Sequence, residues 1–310
     1  MLLNKIFYYL KPIIPREWQI AVRRQIAARK RRLYSNIWPI DPAAAKILEG
    51  WFEWPEKKKF ALVLSHDVDT KRGQEKCMEL AELEKAMGFR SSFNFVPESR
   101  YNVSSDLRHY LVENGFEVAV HGLNHDGKLF WSKEIFDERA IRINNYIKEW
   151  KSVGFHSPSM HRNLNWIHEL DIEYDQSTFD TDPFEPQPEG VSTIFPFWLP
   201  GNSIQNKGYV ELPYTLPQDH SLFVILQEKN INIWKDKLDW IVSKGGMALL
   251  NTHPDYMNFK GNKDELEEYP VAFYIEFLEY VLKKYNGQYW HALPKEVARF
   301  WRENIACKAS

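Results

Sequence analysis

Cysteine is scarce in this chain of 310 residues, which contains only Cys77 and Cys307. So few cysteines exclude a disulfide-stapled scaffold and suit a reducing compartment. Long hydrophobic runs are also lacking, because no stretch approaches the roughly 18 apolar residues of a membrane-spanning helix. An excess of one charge is missing too, since 40 lysines and arginines oppose 42 acidic residues, for a net charge of -2. The chain as a whole therefore lacks the basic charge of a nucleic-acid-binding protein.

The composition, at 44% hydrophobic and 26% charged residues, is that of an ordinary globular protein. From residue 59 onward no repeat, low-complexity tract or flexible linker interrupts the chain. The proline-rich stretch Asp180–Gly190 has the composition of a long loop and not of a domain boundary. We therefore predict one large domain over residues 59–305, preceded by an N-terminal extension over residues 1–58.

Positive charge is concentrated at the start of the chain. Residues 1–35 contain nine lysines and arginines against one acidic residue, a local net charge of +8. Lys5 and a short apolar run resemble the start of a signal peptide, but Lys11-Pro12 interrupts the run and no small-residue cleavage site follows. The sequence therefore predicts no export signal and a cytoplasmic location.

Residues 15–33 have the pattern of a helix, with Pro15 near its first turn. Trp18, Val22, Ile26 and Leu33 fall on one side, and arginines are spread around the others. One interpretation is a helix lying on an anionic membrane surface. The other, which we favour, is a helix packed on its own domain with a solvated basic face. An amphipathic pattern is compatible with both.

From residue 59 onward, short apolar runs alternate with stretches of helical period, which indicates parallel strands joined by helical crossovers. Helices are predicted over residues 74–87, 132–151, 232–244 and 264–285. The predicted strands are Phe60–Leu64, Ser92–Val96, Glu117–Val120, a short one near Phe155, Ile172–Tyr174, Tyr209–Leu212, Met247–Leu250 and Gln288–Trp290. Seven or eight such units predict an α/β fold, a distorted (β/α) barrel of parallel strands with a short basic helical extension at its N-terminus.

Polar residues repeatedly follow the predicted strands, where a parallel barrel builds its active site. His121 and His125 follow one strand, and their spacing lets two imidazoles reach one cation. Asp67 and Asp69 follow another, and in an extended segment both carboxylates would point to one face. One of them can then bind metal while the other stays free as a base. The alternative interpretation is a pair of solvated histidines and an Asp pair that caps the next helix.

In these residues the chain resembles the polysaccharide deacetylase family, also called the NodB-homology or carbohydrate esterase family 4 group. The resemblance covers roughly residues 59–300 and rests on four short motifs in the family's order: Asp67-Val68-Asp69, His121-x-x-x-His125, Ser157-Pro158 with Arg162, and Thr252-His253-Pro254. Family members are metal-dependent enzymes that remove acetyl groups from N-acetylated sugars on a distorted (β/α) barrel.

The resemblance implies a role for each motif. Asp67 corresponds to the general base and His253 to the general acid. Asp69, His121 and His125 correspond to the ligands of one divalent metal ion, expected to be zinc, with cobalt, manganese, nickel or iron as alternatives. The substrate-groove wall corresponds to four residues: His156, Ser157, Pro158 and Arg162.

The metal-binding Asp usually follows the base directly, where this chain has Val68, and the Asp-x-Asp spacing of some members gives that role to Asp69. The chain departs from the family pattern at two further points. His156 stands where an arginine usually pairs with the base carboxylate, and Arg72 and Arg162 are alternative partners for Asp67. A neutral imidazole would depress the pKa of Asp67 less than a permanent guanidinium. The acidic residue that orients the general acid is not matched in sequence. Three residues are candidates for it: Glu211, Asp219 and Asp255.

The expected function is metal-dependent removal of an N-acetyl group from a sugar intermediate of cell-surface polysaccharide biosynthesis. Its partner is an N-acetylated sugar or glycan precursor, with peripheral contact to the inner face of the membrane through residues 1–35 as a further possibility. Two alternatives stay open: a catalytically degenerate glycan-binding protein on this fold, and a deformylase or other amidase on the same barrel.

Overall fold

The computed structural model describes residues 14–47, 51, 53–201, 208–261 and 265–304. Residues 1–13 of the predicted extension, residue 305 and Cys307 lie outside them. The helices are α1 (Arg16–Leu33), α2 (Lys71–Ala86), α3 (Ser105–Glu113), α4 (Lys133–Trp150), α5 (Leu164–Ile167), α6 (Asn232–Lys244), α7 (Ala272–Tyr285) and α8 (Pro294–Asn304). The strands are β1 (Phe60–Val68), β2 (Ser92–Phe95), β3 (Glu117–His121), β4 (Gly154–His156), β5 (Tyr174–Asp175), β6 (Phe197–Leu199), β7 (Tyr209–Glu211), β8 (Met247–Thr252), β9 (Met257–Asn258), β10 (Tyr269–Pro270) and β11 (Tyr289–His291).

Nine of these strands form one curved sheet in the order β11-β1-β2-β3-β4-β5-β7-β6, with β8 paired to β1 outside this path. All its pairs are parallel except that of β6 with β7. Parallel bridges from Phe179 to Tyr214 and from Leu216 to Leu250 continue the pairing from β5 round to β8. The sheet thereby closes into the distorted (β/α) barrel predicted from the sequence, and this fold class is confirmed.

Strand β1 is longer than predicted and runs past Leu64 to Val68. Its second half pairs with β2, and the polar side chains there are buried with partners. His66, for example, lies between the hydroxyl of Thr252 and the carboxylate of Glu84, at 2.8 Å from each. Because burial costs a polar group little once it is hydrogen-bonded, the strand continues where its composition predicts a turn. The opening Asp motif therefore lies at the end of the strand itself.

The helices pack on the outside of the barrel through apolar stripes of helical period. In α4 the buried residues recur every three or four positions from Phe136 to Trp150. Ser132 caps the helix, and its hydroxyl accepts the amide of Ile135, while Lys151 ends it in a left-handed conformation. Helix α7 begins at Ala272, later than the predicted start at residue 264, because the chain before it pairs in β10.

Helix α1 packs on the barrel beside the π-helix His220–Ile225. Ile20 and Ala27 are buried in a small apolar cluster with Val224 and Ile225. Polar contacts add to this packing: the Nε of Arg16 lies 2.9 Å from the Glu267 carboxylate. The favoured prediction of a helix packed on its own domain therefore agrees with the structure for the described part of the extension. The division of the chain at residue 58 stays a prediction.

The predicted apolar side of α1 is not the side that contacts the barrel. Trp18, Val22, Ile26 and Leu33 are 69%, 54%, 48% and 76% exposed, respectively. The contact is made instead around Ile20, with the aliphatic parts of arginines at its edges. An apolar stripe thus faces outward. Among the described residues, no helix combines the length and the hydropathy that crossing a bilayer requires.

The packing of α1 is tested by two substitutions about half a turn apart. Ile20→Ala removes a fully buried side chain from the cluster and should lower the opening free energy of α1 by about 2–5 kcal/mol. Val22→Ala, on the exposed side, should change it by less than about 0.5 kcal/mol. Amide hydrogen exchange of α1 measures both effects. Equal protection in the two variants would contradict the described packing.

Candidate metal and catalytic site

A pocket of about 370 Å³ opens at the carboxyl ends of the barrel strands. Asp67 and Asp69 reach it from the end of β1, and His121 and His125 from the end of β3 and the turn after it. His253, directly after β8, faces them. The five residues predicted as catalytic or metal-binding are therefore brought together in one place, although their roles stay predictions.

Asp67 is held by side chains from three other strands. The Nδ2 groups of Asn94 in β2 and Asn251 in β8 each donate to one of its oxygens at 2.8 Å. The Nδ1 of His156 in β4 lies 2.7 Å from Oδ1. Burial alone would raise the pKa of Asp67, but His121 and the hydrogen-bonded His156 outweigh it and hold the pKa well below its usual range. The carboxylate is therefore ionised at neutral pH.

His156 is the partner of Asp67, a role for which the sequence left three candidates. Arg72 points instead toward Glu265, with 3.4 Å between Nη1 and the carboxylate. Arg162 donates to the carbonyl of Met160 and lies over a neighbouring aromatic ring. Neither arginine contacts Asp67, so the imidazole is the partner of this carboxylate in the barrel.

The tautomer of His121 follows from its neighbours. Its Nδ1 lies 3.0 Å from the carbonyl oxygen of His156, which only accepts hydrogen bonds, so Nδ1 carries the proton. Nε2 then presents its lone pair toward Asp69, whose Oδ1 is 3.4 Å away. The Nε2 of His125 lies 3.1 Å from the same oxygen. The chain returns His125 to this point through a turn, with positive φ angles at Gly122 (64°) and His125 (49°).

Asp69, His121 and His125 fit a divalent metal ion. Their ligand atoms lie within 4.8 Å of one another, and the buried Oδ1 of Asp69 has no hydrogen-bond partner among the described residues. Two imidazoles and one carboxylate are the donor set of catalytic zinc sites that keep a position open. The carbonyl that fixes the tautomer of His121 is the kind of support that metal-binding histidines usually have.

A second convergent group consists of Asp67, His121 and His156. It fits a metal less well, because the His121 nitrogen that faces Asp67, at 3.7 Å, is the protonated Nδ1. Both oxygens of Asp67 also already accept hydrogen bonds, as described above. The two groups share His121, and the one that contains Asp69 fits a metal ion better.

Asp219 orients His253. Its Oδ1 lies 2.7 Å from Nδ1 of the imidazole, and Oδ2 accepts the backbone N–H of His253 at 2.8 Å and the hydroxyl of Tyr269 at 3.0 Å. The free Nε2 is 3.8 Å from Asp67. Burial alone would lower the pKa of His253, but the carboxylate of Asp219, assisted by Asp69, outweighs it and raises the pKa to about 10.

The other two acidic candidates have different contacts. Asp255 accepts the backbone N–H groups of Asp69 and Thr70 at 3.0 Å each, which holds the end of β1 and the start of α2. Glu211 in β7 accepts the hydroxyl of Thr178 at 2.7 Å. Of the three candidates, Asp219 is therefore the partner of the imidazole, and the sequence offered no spacing that could separate it from the others.

The predicted groove-wall residues lie beside the pocket and not on its lining. Ser157 and Pro158 line a smaller cavity next to it. Ser159 and Met160, which follow them, do line the main pocket, and both have positive φ angles, 56° and 54°. The groove role of Ser157, Pro158, His156 and Arg162 stays a prediction.

The sequence did not indicate that α1 forms one wall of this pocket. Arg16, Arg23 and Lys30 line it together with Ile26 and Ala27. The signal was present, because these basic residues recur at every seventh position and so lie on one side of a helix. It was masked by the many other arginines of the segment. The lining also includes residues of the π-helix, a form that often occurs at functional sites.

No protein family matches the sequence, and none of the curated proteins is significantly similar to it. Among solved structures, a candidate polysaccharide deacetylase from Mycobacterium smegmatis aligns over 81% of this chain and 93% of its own, with 18% identity and a TM-score of 0.59. The chain has the polysaccharide deacetylase fold. At this identity the likeness establishes the fold and not the reaction.

Weaker likenesses are found to two other deacetylase-fold structures. A peptidoglycan deacetylase from Bacillus subtilis aligns over 81% of this chain and 96% of its own, with 9% identity and a TM-score of 0.47. A family 4 carbohydrate esterase from Streptomyces lividans aligns over 76% and 93%, with 10% identity and a TM-score of 0.44.

The ligand assignment is tested by elemental analysis of the purified protein. About one divalent ion per chain is expected for the wild type. Asp69→Ala and His125→Ala should lose it, whereas His156→Ala should keep it. His109→Ala, at an exposed histidine of α3, is the control. Loss of metal in His156→Ala with full occupancy in Asp69→Ala would assign the ion to the second group instead.

Proposed function

We propose that this protein is a metal-dependent carbohydrate N-deacetylase, a hydrolase that removes the acetyl group from an N-acetylated sugar. One observation carries the proposal: a two-histidine, one-carboxylate set stands beside an ionised carboxylate and a protonated imidazole. The ligand set is Asp69, His121 and His125, and the two proton-transfer groups are Asp67 and His253. Amide hydrolysis needs each of these parts, because an amide carbonyl resists attack by water alone.

A divalent ion held by Asp69, His121 and His125 would lower the pKa of a water molecule and polarise the amide carbonyl. Asp67, fixed by Asn94 and His156, accepts the proton of the attacking water. It can do so at neutral pH because it is ionised there.

His253 acts in the second half of the reaction. Its protonated Nε2 faces the pocket and gives a proton to the nitrogen of the leaving sugar amine. Asp219 holds Nδ1–H, so the ring cannot turn its proton away from the pocket. Donation occurs beside the base, because Nε2 and the Asp67 carboxylate are 3.8 Å apart.

His156 supports an active enzyme over a degenerate one. The family resemblance implies an arginine at this position, and its absence motivated the alternative of a glycan-binding protein. The imidazole nevertheless makes the expected contact, at 2.7 Å from Asp67. The hydrogen bond that keeps the base in place is thus present with a different side chain.

The substrate that we propose is a small N-acetylated sugar derivative, an intermediate of cell-surface polysaccharide assembly, and the metal that we propose is zinc. The presence of α1 supports a small substrate, because this helix closes one wall of the pocket and leaves less room for a long polymer. The set of two histidines and one carboxylate supports zinc. The cytoplasmic location and the membrane contact through residues 1–35 stay predictions.

Two substitutions separate chemistry from metal binding. Asp67→Asn and His253→Ala should each lower kcat for acetate release by about 10²–10⁴-fold, because each removes one proton-transfer group. Metal content should stay at the wild-type level in both. Asp171→Asn, at an exposed site, is the matched control. Metal-loaded wild type that releases neither acetate nor formate from any N-acyl sugar would contradict the proposal, and formate alone would identify a deformylase.

The pH profile tests the role of Asp219. A general acid with a raised pKa is protonated below that pKa, so kcat/KM should fall as the pH rises through the pKa of His253. Asp219→Asn removes the nearest negative charge and should move this alkaline limb down by about 1–3 pH units. Tyr269→Phe, which removes a hydrogen bond but no charge, should move it less. An unchanged limb in Asp219→Asn would mean that another group is the acid.

A further inference from the structure

The wall that α1 contributes to the pocket is basic. Arg16, Arg23 and Lys30 all line it. The charge of Arg16 is offset by its ion pair with Glu267. Lys30 donates to the carbonyl oxygen of Pro183 at 2.6 Å, and no carboxylate among the described residues forms an ion pair with it. Lys30 therefore lines the pocket without a direct ion pair to the described carboxylates, although the carboxylate of Asp182 attracts it.

The acidic side chain on the lining of this part of the pocket does not cancel the charge either. Glu185 is buried, and its carboxyl group accepts the hydroxyl of Tyr214 at 3.2 Å. Burial, and then repulsion by Asp182, raise the pKa of Glu185 to about 8, against the opposing effect of Arg23. Near neutral pH this group is mostly uncharged, so Glu185 itself does not cancel the charge of the wall.

His220 supplies a second, independent observation. It lines the same pocket and is only 8% exposed, and its Nε2 has no hydrogen-bond partner among the described residues. Burial, followed by the positive charges of Arg23 and His253, holds the pKa of His220 well below its usual value. The imidazole is therefore neutral and lies within electrostatic range of both α1 and the catalytic histidine. A buried ring nitrogen without a partner is costly unless a ligand satisfies it.

We propose that Arg23, Lys30 and His220 form a subsite for a phosphate or diphosphate group carried by the N-acyl sugar. The inference rests on the proposed function and adds its substrate class. Phosphate oxygens are strong acceptors, and guanidinium and ammonium groups bind them by charge-assisted hydrogen bonds. The subsite and the catalytic residues line one pocket, so a single sugar phosphate would contact both.

Such a sugar phosphate can come from a nucleotide-linked or from a lipid-linked donor, and the anionic chemistry is the same. The exposed apolar residues of α1, which are Trp18, Val22, Ile26 and Leu33, distinguish the two donors. Ile26 is one of them and also lines the pocket, so this apolar surface lies beside the proposed subsite. A lipid-linked sugar would bring a bilayer against Trp18 and Val22, whereas a nucleotide-linked sugar would not need them.

The test compares N-acetylglucosamine with its 1-phosphate on the metal-loaded full chain. The wild type should have a KM at least about tenfold lower for the phosphate. Arg23→Gln and Lys30→Gln should each raise that KM about tenfold and change the KM for the neutral sugar much less. Arg23→Lys should retain most of the effect. Arg29→Gln, on the exposed side of the same helix, is the matched control. Equal KM values for both sugars in the wild type would overturn the subsite.

Calorimetry measures binding at the subsite independently of the reaction. If no acetate is released, the proposed function fails, but the subsite is still supported when Arg23→Gln weakens binding of N-acetylglucosamine 1-phosphate about tenfold and Arg29→Gln does not. Unaltered binding in Arg23→Gln, Lys30→Gln and His220→Leu would overturn it. Trp18→Ala identifies the source. Slower turnover of a polyprenyl-diphosphate sugar in phosphatidylglycerol vesicles, with unchanged turnover of a UDP-linked sugar, identifies the lipid-linked donor.

Discussion

The position of the Asp67 carboxylate is the constraint on which the site depends. Three strands other than its own supply the groups that hold it: Asn94 from β2, His156 from β4 and Asn251 from β8. A shift of one residue in any of these pairings would turn the corresponding side chain to the other face of the sheet. The register of the barrel therefore also sets the geometry of the proposed catalytic base, and the stability of the fold and the proposed function depend on the same hydrogen bonds.

The proposed metal position follows from this arrangement. Asp69 lies two residues further along the same strand end, so its carboxylate points to the same side as that of Asp67. The carbonyl of His156, whose ring holds Asp67, also accepts Nδ1–H of His121 and turns Nε2 toward Asp69. One residue of β4 thus orients both the proposed base and a proposed metal ligand. A histidine can replace an arginine in the side-chain contact with Asp67 without disturbing the contact with His121. The contact with His121 is made by the backbone carbonyl, which does not depend on the side chain.

Helix α1 changes the character of the site from an open strand end to a pocket with a basic wall. Its contact with the π-helix is small, and most of its apolar side faces outward. Polar contacts of Arg16, Arg24 and Lys30 also hold the helix on the barrel. In the proposed subsite, a surface element of this kind would select among substrates without taking part in the chemistry.

Several elements were predictable from the sequence because their signals are local. Alternation of apolar runs with helical stretches predicted the barrel. The spacing of His121 and His125 predicted a pair of ligands for one metal ion. The positions of Asp67 and Asp69 directly after a predicted strand indicated that their carboxylates belong to the site. The end of β1 was placed too early, since a polar residue such as His66 indicates a turn unless its buried partners are known. Whether Asp67 pairs with Arg72, Arg162 or His156 was likewise open, because these residues are distant in sequence.

By itself, the sequence determined the fold class, the residue types available for metal and proton chemistry, and the strand ends on which they lie. These depend on periodicity and spacing over a few residues. The tertiary structure alone decided which acidic residue orients His253, which nitrogen of His121 is free and which side of α1 meets the barrel. Each of these depends on distances between segments far apart in the chain, and neither the composition nor the period of a single segment contains that information.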